Sequence, residues 1–170
     1  GWYMVASGLV DEPAVSHYRL AAHLMLALLI FSALFMTGLE LVGAKRATFR
    51  QENARSAAAW ARSLTWGFLA MLVVQLVLGA FVAGLKAGHI YNEWPLMGGS
   101  LIPIDAFLMD PVWRNFLDNA SNVQFFHRLI AYALFLYSWV VFWQFKRFGA
   151  GLKTAGLLLA LAVSVQAVVG

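Results

Sequence analysis

The chain has 170 residues, of which 62% are hydrophobic and only 12% are charged. Soluble domains are about half apolar and about a quarter charged, so this composition excludes a water-soluble globular domain. The formal net charge is +4 and the chain contains no cysteine, which excludes thiolate metal sites, iron–sulfur clusters and disulfides. We therefore predict an all-α integral membrane protein.

Four stretches are long and apolar enough to cross a bilayer as helices, which takes about 20 residues. These predicted spans are 20–42, 64–85, 123–145 and 152–170. Helices are expected because backbone polar groups in lipid must pair within the segment. The sequence thus predicts a polytopic transmembrane helical bundle. The first two spans fall in segment 1–88, an outer loop occupies 89–122, and the last two spans fall in segment 123–170.

Basic residues lie in two of the connections between spans. Lys45 and Arg46 follow the first span, and Lys146 and Arg147 follow the third. By the positive-inside rule these connections face the cytoplasm or the mitochondrial matrix, and the acidic loop 89–122 faces the periplasm or the intermembrane space. Because the basic residues alternate with apolar runs instead of forming one face, we expect no nucleic-acid partner.

The outer loop is rich in aromatic residues, which favour the membrane–water interface. Asp110 followed by Pro111 is typical of a helix start, and Trp113 comes directly after it in an apolar stretch. We predict a short interfacial helix over the outer mouth of the bundle. An aromatic loop that only anchors the chain at the interface is the alternative.

Two histidines lie within predicted spans, where ionisable groups indicate function. His23 lies near the outer end of the first span and His127 near the outer end of the third. Arg19 and Arg128 lie beside them. A neutral imidazole can ligate heme iron, and guanidinium matches a propionate. Spacing alone leaves heme ligation and hydrogen bonding across the bundle both open. No carboxylate shares this depth, which disfavours a non-heme metal site.

Other polar residues are weaker candidates. Gln124 lies three residues before His127 on the same helical face, where it can bind the ligand, a porphyrin edge or another helix. His17 and His89 lie in outer segments, where we expect hydration, although His89 is close in sequence to Tyr91 and could approach a bound cofactor.

One short pattern occurs twice. Gln75-Leu-Val-Leu-Gly79 ends the second span, and Gln166-Ala-Val-Val-Gly170 ends the fourth. Both segments lie in the outer halves of helices that run outward. A single glutamine and glycine at this spacing is a weak signal, but its repetition favours a duplicated bundle.

Four blocks of sequence resemble the heme A synthase family, in its mitochondrial and proteobacterial branch. They are GWYMVASGL, VSHYRLAAHL, GAFVAGLKAGHIYNEWPLMGGSLIP and NVQFFHRLIAY. They occur in the family's order and cover nearly the whole chain. The resemblance implies oxidation of a ring methyl of heme O to a formyl group, through hydroxylated intermediates. The product is heme A for cytochrome c oxidase.

The resemblance also implies a fold of eight transmembrane helices in two similar four-helix halves. This chain is then an internal piece that covers about helices four to seven, in a bacterial plasma membrane or a mitochondrial inner membrane. Each half holds one heme between two histidines. His23 is expected beside the heme O substrate, and His127 on a permanent heme b that relays electrons. Position alone suggests one shared heme instead.

The resemblance extends to further residues and partners. The expected metal ligands are His23 and His127. The expected cofactor-binding residues are His127, Arg128, Gln124, His23, Arg19, Tyr91, Asn92 and Trp94. No residue is predicted as a catalytic acid or base. The lipid bilayer surrounds the protein, heme O synthase and cytochrome oxidase assembly factors are suggested partners, and a homo-oligomer is compatible with the pattern. The alternatives are a bis-histidine, cytochrome b-type electron-transfer subunit and a structural or transporter bundle without heme.

Overall fold

The computed structural model describes residues 16–43 and 54–169. All regular elements in this part of the chain are helical, which confirms the predicted all-α class. The long helices are α1 (His17–Leu41), α2 (Ala54–Gly84), α3 (Ala120–Phe145) and α4 (Ala150–Val169). Short 3-10 helices lie at Ala87–His89 and Val112–Phe116 in the loop between α2 and α3.

Each of the four long helices is long and apolar enough to cross a membrane. Large apolar side chains remain exposed along them; Leu34 of α1 is 68% exposed and Leu136 of α3 is 64% exposed. A helix that is apolar on all sides is typical of a membrane span, because lipid covers what protein does not. The helical membrane class predicted from composition is therefore confirmed.

Helix α2 begins well before the span predicted at 64–85. It starts at Ala54, in an alanine-rich stretch of high helix propensity. Apolar composition marks the part of a helix that lies in hydrocarbon, whereas propensity and capping decide where the helix begins. The apolar pattern therefore understated the length of α2.

The chain divides into two packed units. In the first, α1 packs against Gln75–Leu129, around a core of Ala21, Ala80, Phe81 and Val123. Three of these four core side chains are small or β-branched. Small residues at a contact allow helix backbones to approach closely, as is typical of membrane bundles.

The second unit contains the earlier part of α2, the later part of α3, and α4. Ala61, Val141 and Phe145 form its core. Gly156 of α4 lies so close to α3 that a Cβ atom there would be 3.0 Å from the Cα atom of Phe142. Only glycine fits this contact without a shift of backbone.

A tight turn occupies the middle of the loop between α2 and α3. Met97 and Ser100 pair across it, with a 2.7 Å hydrogen bond from the Met97 N–H to the Ser100 carbonyl. Gly98 and Gly99, the two central residues, have φ values of 63° and 78°. Positive φ at both positions is typical of a two-residue type I′ turn, and glycine adopts it without steric cost. The two glycines of the MGGS segment thus have a conformational role.

The short helix predicted near Asp110 is a 3-10 helix at Val112–Phe116, and its location at the membrane interface stays a prediction. Its N-cap is Pro111 and not Asp110 as predicted. The buried Asn115 side chain explains the short form, because its amide donates to the Met109 and Val112 carbonyls and its oxygen accepts from the Met109 N–H. Asparagine side chains that bind nearby backbone groups compete with α-helical pairing.

Candidate functional site

His127 lies against the C-terminal half of α2. Its Nε2 atom is 3.3 Å from the amide nitrogen of Gln75. One turn further along α2, a Cβ atom on Gly79 would be 3.2 Å from Cε1 of the same ring. Positions 75 and 79 share one face of a helix because they are four residues apart. The imidazole of His127 is therefore in contact with this face of α2.

The surroundings of His127 are compatible with a heme iron ligand. Its Nδ1 atom is buried and has no hydrogen-bond partner among the described residues. Within the same part of the chain, no three His, Asp or Glu side chains come together as a metal site. A lone, partly buried imidazole is what an axial heme ligand requires from one helix, whereas a zinc or calcium site needs several protein ligands.

The side chain of His23 lies outside the face of α1 that packs into the core of the first unit. Leu20, Ala21 and Leu24 of α1 pack into the core of the first unit, whereas His23 is exposed. Across the described residues, no hydrogen bond or ring contact joins His23 to His127. The two histidines therefore have different surroundings, although both occupy the same unit.

Two of the predicted cofactor residues bind the loop backbone. Arg128 donates to the Tyr91 carbonyl at 2.8 Å and to the Glu93 carbonyl at 2.9 Å. Gln124 donates to the same Tyr91 carbonyl at 2.9 Å. The turn of α3 that carries His127 is thus fastened to the loop. The binding of a propionate by Arg128 stays a prediction, and the guanidinium has donors beyond the two used here.

The Tyr91 side chain belongs to a second network, centred on Asp105. Tyr91 donates from its hydroxyl to Oδ1 of Asp105 at 2.7 Å, and Ser121 donates to Oδ2 at 2.6 Å. The hydrogen bond from Ser121, aided by that from Tyr91 and opposed by desolvation, lowers the pKa of Asp105. The same bond to Asp105, together with desolvation, raises the pKa of Tyr91. Asp105 is therefore held as a carboxylate and Tyr91 as a phenol.

The remaining predicted residues differ in exposure. Asn92 is exposed, and Trp94 is 76% exposed. Arg19 is half-buried on α1, one turn before His23. Their assignment to a cofactor stays a prediction.

The expectation that His17 is hydrated was wrong, because its side chain is only 13% exposed. Its Nε2 atom lies 3.3 Å from Oδ1 of Asp118, and Gly84 leaves room for it, since a Cβ there would be 2.6 Å from the His17 Cβ. His89, by contrast, is exposed. Proximity to α2 and the loop, which sequence spacing does not reveal, accounts for the burial of His17.

Asp118 joins the first turn of α1 to the loop. Its Oδ1 accepts a 2.7 Å hydrogen bond from the Tyr18 hydroxyl, and its Oδ2 accepts one of 3.0 Å from Arg114. The bond from Tyr18, then that from Arg114, lowers the pKa of the Asp118 carboxyl against desolvation. This carboxylate is held ionised by its donors.

The whole chain matches the model of one known protein family. The family model described as "Cytochrome oxidase assembly protein" (COX15-CtaA) matches residues 1–170. The chain belongs to this family. Its members provide the frame in which His23 and His127 are interpreted below.

Curated relatives named "Heme A synthase" match the whole chain. The one from Parvibaculum lavamentivorans is 48% identical and that from Rhodospirillum centenum is 44% identical, with 46% and 44% of their lengths covered. The relative from Nitrosospira multiformis is 40% identical, with 47% covered. The chain therefore spans about half the length of these relatives. No solved structure matches it.

Gln75 and Gly79 were not predicted as site residues. Their pattern was detected, through its second copy at Gln166–Gly170, but it was interpreted only as a trace of duplication. The sequence signal for this contact was the spacing of four residues, which puts the polar Gln75 and the side-chain-free Gly79 on one face of the helix. The partner of that face could not be found from spacing, because His127 lies 52 residues from Gln75 in sequence.

Proposed function

We propose that this chain is part of a heme A synthase, which oxidises a ring methyl of heme O to a formyl group to produce heme A. The observation that carries the proposal is the match to curated heme A synthases at 40–48% identity over the whole chain. The buried, unpartnered Nδ1 of His127 supports it, because a ring nitrogen without a protein partner suits an imidazole that takes a ligand from outside the chain.

His127 is proposed to hold heme b, which supplies one-electron transfer when it is bound. His23 is proposed to lie beside heme O. The different surroundings of the two histidines support separate hemes, since His23 is exposed on α1 while His127 contacts α2. A single heme shared by both rings would need them to face a common space.

The remaining residues of the site are proposed to bind and orient. Arg128 and Gln124 hold the carbonyl of Tyr91 next to the turn that carries His127. Asp105 holds the Tyr91 side chain by accepting a hydrogen bond from its hydroxyl. The loop then covers the heme-bearing turn of α3 in a defined conformation, with Arg128 available for a propionate through its remaining donors.

The setting is proposed to be a bacterial plasma membrane or a mitochondrial inner membrane, with the basic connections inside. The heme sites then face the periplasm or the intermembrane space. Heme O synthase is the proposed source of substrate, because it makes the molecule that this enzyme consumes. Assembly factors of cytochrome oxidase are the proposed recipients of heme A.

The test uses the full-length protein that contains this chain, produced together with a heme O synthase in cells that make no heme A. Hemes are extracted with acid acetone and identified by chromatography and mass. Heme A should form with the wild-type protein and be absent when the protein is omitted. Heme O that stays unconverted beside protein-bound heme B would contradict the proposal and favour an electron-transfer cytochrome. Protein without any heme would favour a structural bundle.

A further inference from the structure

We propose that Tyr18 and Asp118 are positioning residues, which fix the direction in which α1 presents His23 relative to α3, the helix that carries His127. The groups that meet at this carboxylate are called the Asp118 cluster, and they are His17, Tyr18, Arg114 and Asp118. Their contacts do not depend on a bound group. Only the link between the direction of His23 and the conversion of heme O rests on the proposed function.

The contacts that hold α1 in the first unit lie near its beginning. Ala21 is buried in the core, and Leu20 and Leu24 pack against the same core. Further along the helix, residues 31–41 are all exposed within the described chain. The position of α1 in this unit therefore depends mainly on its first turns, where the Asp118 cluster lies.

The cluster joins these first turns to the loop and to α2. Tyr18 donates from its hydroxyl to Oδ1 of Asp118 at 2.7 Å, and Nε2 of His17 lies 3.3 Å from the same oxygen. Arg114 donates to Oδ2 at 3.0 Å, so both carboxylate oxygens have a partner. The ring centroids of His17 and Tyr18 lie 4.9 Å and 5.4 Å from that of Phe81, both in edge-to-face contact. Polar and aromatic contacts thus act at the same place.

The loop side of the cluster is itself held at the beginning of α3. Asn119 follows Asp118 directly and is 8% exposed. Its side-chain oxygen accepts hydrogen bonds from the N–H groups of Ser121 and Asn122, as an N-cap residue does. Its amide donates to the Asp105 carbonyl at 2.7 Å. A contact with Asp118 is therefore a contact with the capped, fixed start of α3.

The positions of the contacts around α1 determine the direction of His23. An α-helix turns by about 100° per residue, so Ala21 lies about 60° from Tyr18 around the helix axis. His23 lies about 140° from Tyr18 and about 160° from Ala21, and it is exposed. Two contacts on one side of the helix thus fix its rotation, with His23 on the other side. Loss of the Tyr18 bond should allow α1 to rotate, whereas the contacts of His127 with α2 should remain.

The first measurement is amide hydrogen exchange of residues 21–25 in the full-length protein. Y18F removes the donor but keeps the ring that packs against Phe81, and D118A removes the acceptor. Each variant should exchange about fivefold faster than the wild type, which is the ratio expected for one net hydrogen bond. The double variant should match D118A alone, because the hydroxyl acts through the carboxylate.

Two control variants test whether the effect is specific. Y137F removes a comparable hydroxyl bond, to the Leu64 carbonyl at 3.1 Å, in the second unit. D110A removes an exposed aspartate of the same loop. Neither should change exchange at residues 21–25. Wild-type exchange in both Y18F and D118A, or effects that add in the double variant, would overturn the proposal.

The second measurement separates positioning from stability in the same full-length variants. If the direction of His23 is loosened, only part of the protein is competent for heme O, so the KM for heme O should rise by up to about fivefold. Heme b absorbance should equal that of the wild type, since the contacts of His127 are unchanged. A fall in kcat at constant KM, or loss of heme b absorbance in Y18F, would indicate a merely structural role and overturn the proposal.

The two proposals fail in different ways. A wild-type protein that forms no heme A would contradict the proposed function, while the exchange measurements would still decide whether Tyr18 and Asp118 fix α1. Heme A formation by a protein in which Y18F changes neither exchange nor KM would overturn the inference and leave the proposed function intact.

Discussion

Arg128 donates a 2.8 Å hydrogen bond to the backbone carbonyl of Tyr91, which lies 37 residues earlier in the chain. A second donor of the same guanidinium reaches the Glu93 carbonyl. Because Arg128 follows His127 directly, the loop and the histidine turn are joined through one side chain.

R128K should loosen this junction. Lysine carries a single ammonium and cannot hold both carbonyls in the fork geometry of arginine. We expect the free energy of local opening of residues 91–94 to fall by about 1 kcal/mol, measured as faster amide hydrogen exchange in that segment. R147K, at an exposed arginine outside the loop, is the control. Equal protection in R128K and wild type would show that the two carbonyl contacts do not hold the loop.

The pKa shifts of Asp105 and Tyr91 predict how the stability of the protein depends on pH. The pKa of Asp105 is lowered from its ordinary value of 3.8, so its contribution is present above pH 3.8 and is lost as the pH falls through the lower folded value. The pKa of Tyr91 is raised from 10.0, so its contribution is present below pH 10 and is lost as the pH rises through the higher folded value. The unfolding midpoint should therefore decline outside this window.

D105N should flatten the acid side of that profile. Its amide offers one acceptor atom where the carboxylate offers two, so Tyr91 or Ser121 loses its acceptor. The midpoint should be lower than that of the wild type near neutral pH and should change less below pH 4. D110N, at an exposed aspartate, serves as the control. An acid decline as steep in D105N as in the wild type would assign the dependence to other carboxylates.

Replacement of the two histidines should have different spectral effects. If His127 holds heme b, H127A in the full-length protein should remove most heme b absorbance. H23A should retain that absorbance and lose conversion of heme O. Absorbance spectra of the purified proteins, with heme extraction, separate the two results. Equal loss of absorbance in both variants would indicate one heme shared by His23 and His127.

Gly156 should be intolerant of a side chain. G156A places a Cβ atom 3.0 Å from the Cα atom of Phe142 and 3.3 Å from Cβ of Phe145, so backbone has to shift. We expect a loss of about 1–3 kcal/mol in unfolding free energy. G151A, on the same helix with nothing within 4 Å, should be neutral or stabilising, because alanine has the higher helix propensity. Destabilisation of both variants alike would reject the packing explanation.

The helical spans were predictable because lipid imposes a simple requirement on composition. A segment in hydrocarbon must be apolar and must pair its own backbone, and both properties are visible in sequence. The 3-10 form of Val112–Phe116 was not predictable, since it depends on the buried Asn115 side chain and its hydrogen bonds to Met109 and Val112. Loop conformation depends on such tertiary contacts.

Part of the site was also predictable, because polar groups stand out in an apolar span. His127 was detected because an imidazole in a span is costly. Its contact with Gln75 and the burial of His17 depend on which helix faces meet. The helix faces that meet are determined by core residues far apart in sequence, such as Ala21, Ala80 and Val123. No local sequence pattern shows which of these faces pack together.

The lengths of α2 and α4 bear on how the protein fits its bilayer. With 31 residues, α2 rises about 46 Å, whereas α4, with 20 residues, rises about 30 Å. The hydrocarbon layer is about 30 Å thick, and tilt of a spanning helix rarely exceeds about 40°. Tilting α2 enough to contain it would need nearly 50°. The part of α2 that is apolar enough to span begins only at Ala59, so we expect its alanine-rich beginning to extend past the hydrocarbon layer, with the exposed Arg62 near the boundary.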